Sequence, residues 1–119
     1  MDSQTLEACP LASAMEDDDI VIVGGARTPF CEWLGGKRGD GGQGGRLASL
    51  SAEELGSIAI KGALEKTGTD PSEVDHVVMG HALQTSSQAI FGARRAGLMS
   101  GIPYQVPMLT LNRLSLIHI

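Results

Sequence analysis

The sequence predicts an α/β protein, on three observations. Apolar runs of strand length, DIVIVGG, VDHVVMG and VPMLTLN, are bounded by acids, glycines and prolines. Two stretches with helical start and stop signals lie between them. The resulting order, strand, helix, strand, helix, strand, with connections of this length, belongs to a sheet with crossover helices. No internal repeat is visible.

Asp19–Gly25 is a continuous apolar run, which suits a strand buried on both faces better than a half-exposed one. ARTPF ends it, because Pro29 lacks an N–H and pushes Thr28 out of the helical region. The first helix starts at Ser51. With Glu54 three residues on, that serine makes a capping-box pattern, in which each side chain satisfies an orphan N–H. Leu55, Ile58, Ala59, Gly62 and Ala63 then recur at helical spacing and are expected to face the sheet, and Gly68 is the stop. Gly56 and Gly62 each cost roughly 1 kcal/mol relative to alanine, so packing rather than propensity is expected to hold this helix.

A turn at Asp70 and Pro71 leads to a second strand, expected over Val74–Gly80. Ser86 or Ser87 is then placed to cap a helix through Met99, closed by Gly101 and Pro103. A third strand is expected over Val106–Asn112. Met1–Asp18 has no apolar period and closes on the acidic run EDDD, and Gly35–Gly45 carries seven glycines; both are expected to add little to a core, the first as a disordered extension.

Composition excludes several classes. A formal charge of −5 argues against a polyanionic partner, for which Arg94 and Arg95 are too few, and four aromatic residues (one Trp, one Tyr, two Phe) leave little for base stacking. Cys9 and Cys31 make neither metal-ligand spacing nor a disulfide framework, which favours a reducing, cytoplasmic setting. No window approaches the ~18 apolar residues of a membrane span, and no basic-then-apolar leader is visible.

Gly39, Gly41 and Gly44 form a literal G-x-G-x-x-G, the basis of an alternative reading as a nucleotide-binding α/β domain. They fall, however, mid-loop between an expected strand end near Gly25 and a helix start near Ser51, whereas a dinucleotide site needs them between strand and helix. Gly36 and Lys37 are followed by Arg38, not by the Ser or Thr of a phosphate-binding P-loop, and Arg38-Gly39-Asp40 reads as chance. His76, His81 and His118 match no zinc spacing. His76 reads as a strand residue, and His81 stands better placed, at the carboxyl end of a strand where ligands gather. Cys31 has no histidine or helix start nearby to activate it and reads as an inert thiol.

Taken together, VIVGGARTPF, LSAEELGSIAIKGALEKTG, PSEVDHVVMGHALQ, GARRAGLMSGIP and VPMLTLNRL, in this order, resemble the thiolases, the acyltransferases that include the acetyl-CoA acetyltransferases. The resemblance covers Asp19–Leu114. It implies an incomplete N-terminal half of a thiolase-like fold, with α/β/α layers and a mixed sheet whose first strand is separated from the second and third by two strands that this sequence lacks. It also implies a coenzyme A thioester as substrate of the complete enzyme, no tightly bound cofactor or metal, and homo-oligomeric assembly. The family's nucleophilic cysteine follows NRL at the start of a buried helix, where the helix terminus favours a thiolate; its other site residues, an Asn, a His and a second Cys, come later in the chain.

Here Ser115 stands in the cysteine's place, followed by bulky Leu116, Ile117, His118 and Ile119 where small residues are expected. A serine needs a paired base, and His118, three residues along an extended segment, falls on the opposite face. The expectation is therefore an inactive fragment; a non-catalytic interaction fragment that pairs its open strand edges with a full-length thiolase is a third reading. Leu114–Ile119 can be encoded by CTG TCT CTT ATA CAC ATC, which reads like a transposon-end sequencing adaptor, so 115–119 is expected to be a non-native tail; a frameshift or a real truncated gene is the alternative.

Overall fold

The computed structural model describes residues 19–31, 45–83 and 85–113. Its first regular element is helix α1, Ala52–Thr67. The capping box forms as its local pattern predicts: the Glu54 N–H donates to Ser51 Oγ at 3.2 Å, and the Ser51 N–H donates to Glu54 Oε2 at 2.7 Å. Gly68 closes the helix in the left-handed region at φ 70°, the conformation that removes the Cβ penalty by choosing glycine.

Asp70 caps a short 3₁₀ turn, Pro71–Glu73, by accepting the Ser72 N–H at 2.8 Å. Strand β1 begins only afterwards, at Val77, and runs to Gly80. Residues 74–76 are thus a connection and not the first half of a strand, because the capped turn occupies the chain just before them. A 3₁₀ turn, Ala89–Phe91, leads into helix α2, Gly92–Met99. Neither has a side-chain cap from the residue preceding it, Gln88 or Phe91, which corrects the expectation for Ser86 and Ser87. Strand β2 is Met108–Leu111, shorter than expected at its start because Pro107 has no N–H to give a ladder. The Pro107 carbonyl does join, accepting the Val77 N–H at 3.0 Å.

β1 and β2 pair in parallel, with Val77 opposite Met108 and Gly80 opposite Leu111, and α2 is the crossover between them. One face of this pair, carrying Val77, Met79, Met108 and Thr110, is partly covered; Val78, Leu109 and Leu111 on the other are exposed among the described residues. α2 lies against the sheet so closely that a Cβ at Gly97 would sit 2.5 Å from Met108 Sδ. α1 packs on α2 in turn, through a different stripe from the expected one. Glu53 and Ser57 are its buried residues, Gly56 approaches Met79 and Ala96, and Ile58 is exposed. Small residues at 56 and 57 admit the neighbouring helix, and the bulkier Glu53 on the same stripe is held by the Ser86 hydroxyl.

The run Asp19–Gly25 forms no strand, and Ile22 is 96% exposed. Apolar character alone does not make a strand; backbone N–H and C=O groups need a ladder partner. This segment touches the fold instead at α1, where Lys66 Nζ donates to the Gly25 carbonyl at 3.2 Å. Among the described residues the fully covered apolar side chains are Ala89, Ala93, Ala96 and Ile102. Burying an isoleucine contributes about 1.5–3 kcal/mol and an alanine far less, so these described elements hold together by close approach more than by apolar mass.

Candidate functional site

The carboxyl ends of β1 and β2 converge with the start of α2, the place where open α/β sheets bind ligands. The His81 N–H donates to the Leu111 carbonyl at 2.8 Å, carrying the ladder one residue beyond β1. Asn112 Nδ2 donates to the Ala82 carbonyl at 3.0 Å, so the chains leaving both strands are tied to each other. From the helix side, the Ala93 N–H donates to Thr110 Oγ1 at 3.0 Å, which satisfies one of the orphan donors of the α2 start.

His81 therefore sits where its position in the sequence predicted, at this mouth. Its ring lies over Gly92, where a Cβ would come 2.8 Å from Nδ1; that nitrogen is buried and without a hydrogen-bond partner. Gly92 is required by this approach, since any side chain there displaces the imidazole. His76 is exposed and precedes β1. Cys31 is a free, exposed thiol. Arg94 is occupied structurally, its guanidinium donating to the Tyr104 carbonyl at 2.8 Å, and Arg95 is exposed on the same helix.

Ser115 and His118, and the glycines Gly39, Gly41 and Gly44, lie outside the described residues. Among the described residues no group of His, Cys, Asp or Glu is arranged to hold a metal, and no helix is long and apolar enough to cross a membrane. An open groove of about 540 Å³ runs along the far end of α1, lined by Lys61, Glu65, Asp70 and Ser100, where one cation faces two acids.

Sequence reasoning missed three residues of the mouth and its support: Thr110, Asn112 and Glu53. Thr110 left a signal, a polar residue in an apolar strand and on the covered face. Glu53 left none, because an acid in the first turn of a helix reads as ordinary dipole complementarity. In the fold it is 2% exposed, and its Oε1 accepts from Ser86 Oγ at 2.6 Å. The Ser86 hydroxyl, aided by the backbone N–H of Glu53 itself, by Ser51 and by the Arg95 charge, holds the Glu53 carboxyl below the usual glutamate range, against the opposing effect of burial.

The family model described as the thiolase N-terminal domain matches residues 20–116. The human mitochondrial 3-ketoacyl-CoA thiolase is 42% identical over 95 residues, which are 80% of this chain and 21% of that protein. The acetyl-CoA acetyltransferase of Cupriavidus necator is 40% identical over 95 residues, again 80% of this chain and 21% of that protein. The chain thus spans about a fifth of the length of these relatives. Among solved structures, human mitochondrial 3-ketoacyl-CoA thiolase in complex with CoA superposes with a TM-score of 0.64 at 40% identity, covering 76% of this chain and 20% of that one.

Proposed function

The chain belongs to the thiolase family, and on that premise we propose that it is the N-terminal part of an acyltransferase that condenses or thiolytically cleaves acyl-CoA through a cysteine thioester. The observation that carries this reading is the match over residues 20–116, which ends on the segment leaving β2. Asn112 and Arg113 there run toward Leu114 and the position where the family places its nucleophile.

Ser115 stands at that position. Thiols ionise near pH 8.5, roughly, and a helix start lowers that further; a hydroxyl is a far weaker acid and needs a paired base. We therefore read these 119 residues as inactive by themselves, with 1–18 an extension, 19–114 the thiolase part and 115–119 a non-native tail. The substrate, an acyl thioester of coenzyme A, belongs to the complete enzyme, a homo-oligomer without a tightly held cofactor or metal and with no nucleic-acid or membrane partner. Cysteine usage favours a cytoplasmic setting, which fractionation of the source cells tests.

Incubation of the chain with labelled acetyl-CoA, followed by acid quench and peptide mass analysis, tests the inactivity directly. No label is expected on Ser115. A peptide carrying an acetyl group at Ser115 would overturn it. Reading the genomic locus across the codons of Asn112–Leu114 tests the tail: a native stop after Ile119 would remove the adaptor reading.

A further inference from the structure

We propose that Glu53 is the positioning residue of the strand-end mouth, its carboxylate fixing the entry into α2 through the hydroxyl of Ser86. Glu53 belongs to α1 and does not line the mouth. It is 2% exposed, a costly place for an acid unless partners hold it. The partner comes from 33 residues away in sequence, Ser86 Oγ donating at 2.6 Å. Ser86 is also the residue on which the next turn starts, its carbonyl accepting the Ala89 N–H at 3.2 Å. That turn sets Gly92 beneath the His81 ring and presents the Ala93 N–H to Thr110. A carboxylate in α1 thus reaches the mouth through consecutive contacts.

Among the described residues few charged groups act on Glu53. α2 contributes Arg95, whose cation favours the carboxylate; the other arginine of that helix, Arg94, is turned to the Tyr104 carbonyl. Its own helix contributes Glu54, a like charge. β1 and β2 carry no charged side chain. The bond from Ser86 to an ionised acceptor is of the stronger, charge-assisted kind. With the Glu53 carboxyl held below the usual range, the latch stays closed from neutral pH into mild acid and weakens only as the carboxylate is protonated.

The inference rests on the proposed function only for what the mouth binds, and its test does not depend on it. Carboxyl and backbone NMR of the full chain, with Glu53→Gln and Ser86→Ala, reads it out. Expected in the unsubstituted chain is a Glu53 titration below the usual range, followed on the same curve by the amides of Ala89, Phe91 and Ala93. Glu53→Gln removes that titration from those amides while the Ser51 and Glu54 capping amides stay in place. Ser86→Ala moves the Glu53 titration up and raises amide exchange at Ala89 and Phe91 several-fold more than in the α1 interior; where Glu53→Gln fails to fold, this variant carries the test. Amides at 89–93 that ignore the Glu53 titration, or exchange that rises equally throughout α1, would overturn the proposal. Neither result bears on whether the complete enzyme transfers acyl groups.

Discussion

Thr110 on β2 and Ala93 in the first turn of α2 are joined by a hydrogen bond of 3.0 Å, from the Ala93 N–H to the Thr110 hydroxyl. A strand side chain thereby acts as the cap that no residue preceding α2 provides. Ala93 is fully buried, so its N–H has no ready substitute partner. Thr110→Val keeps the shape and removes the acceptor, and an orphaned buried donor costs about 1–3 kcal/mol. Urea unfolding is expected to show a lowered midpoint at unchanged slope; an unchanged midpoint would show that the bond is dispensable.

Gly97 tests the close approach of α2 to the sheet. Alanine there gains about 1 kcal/mol in helix propensity. It also places a Cβ 2.5 Å from Met108 Sδ and 2.9 Å from Met108 Cε, and overpacking against neighbours that cannot move costs about 1–3 kcal/mol. The clash meets only the flexible end of the Met108 side chain, which can swing aside at small cost, so Gly97→Ala is expected to leave stability within about 1 kcal/mol of the parent. Because the two residues touch, a double-mutant cycle with Met108→Ala should show coupling; strict additivity would contradict the packing described.

Gly68 makes a contrasting case, since nothing lies within 4 Å of a Cβ built there. The penalty for Gly68→Ala is conformational, about 1–2 kcal/mol for an L-residue in the left-handed region. Thermal unfolding checks it, and an unchanged melting temperature would count against the assigned end of α1.

Acid should destabilise the described fold. The Ser51 backbone N–H and hydroxyl hold the Glu54 carboxyl below its usual range, Ser72 does the same for Asp70, and Ser86 for Glu53. Groups with depressed folded pKa values contribute fully above their unfolded pKa, near 4 or so. That contribution is lost as pH falls through the lower folded values. Denaturation midpoints measured from neutral pH downward should therefore fall on the acid side, and replacing all three acids by their amides should flatten that slope. Stability that rises on acidification would reverse the sign of the argument.

The α1 boundaries were legible in the sequence because a capping box and a terminal glycine are local devices, spelled out within three residues. The positions of β1 and β2 were legible in outline for the same reason, with their first residues displaced by Pro107 and by the Asp70 turn. Asp19–Gly25 was read as a strand from its apolar run alone, while the resemblance had already separated it from the other two strands by two that this sequence lacks; pairing is non-local, and VIVGG looks the same with or without a neighbouring strand. Ser86 was misread as a cap because its hydroxyl serves Glu53, 33 residues back. Of the mouth, His81 was legible from its place after a strand, while Thr110, Asn112 and Glu53 act through contacts that no short window contains.

The proposed function holds that residues 19–114 are the thiolase part of this chain and reach the nucleophile position without supplying a nucleophile. Its most direct test is a chimera in which this segment replaces the matching residues of the Cupriavidus necator acetyl-CoA acetyltransferase, with that enzyme's own residues following Leu114. The account predicts a folded chimera that forms the acyl-enzyme and turns over acetyl-CoA, and loses both when its next residues are Ser115–Ile119 of this chain. A folded chimera that stays inactive with the relative's own residues in place, or one that remains active with Ser115, would contradict it.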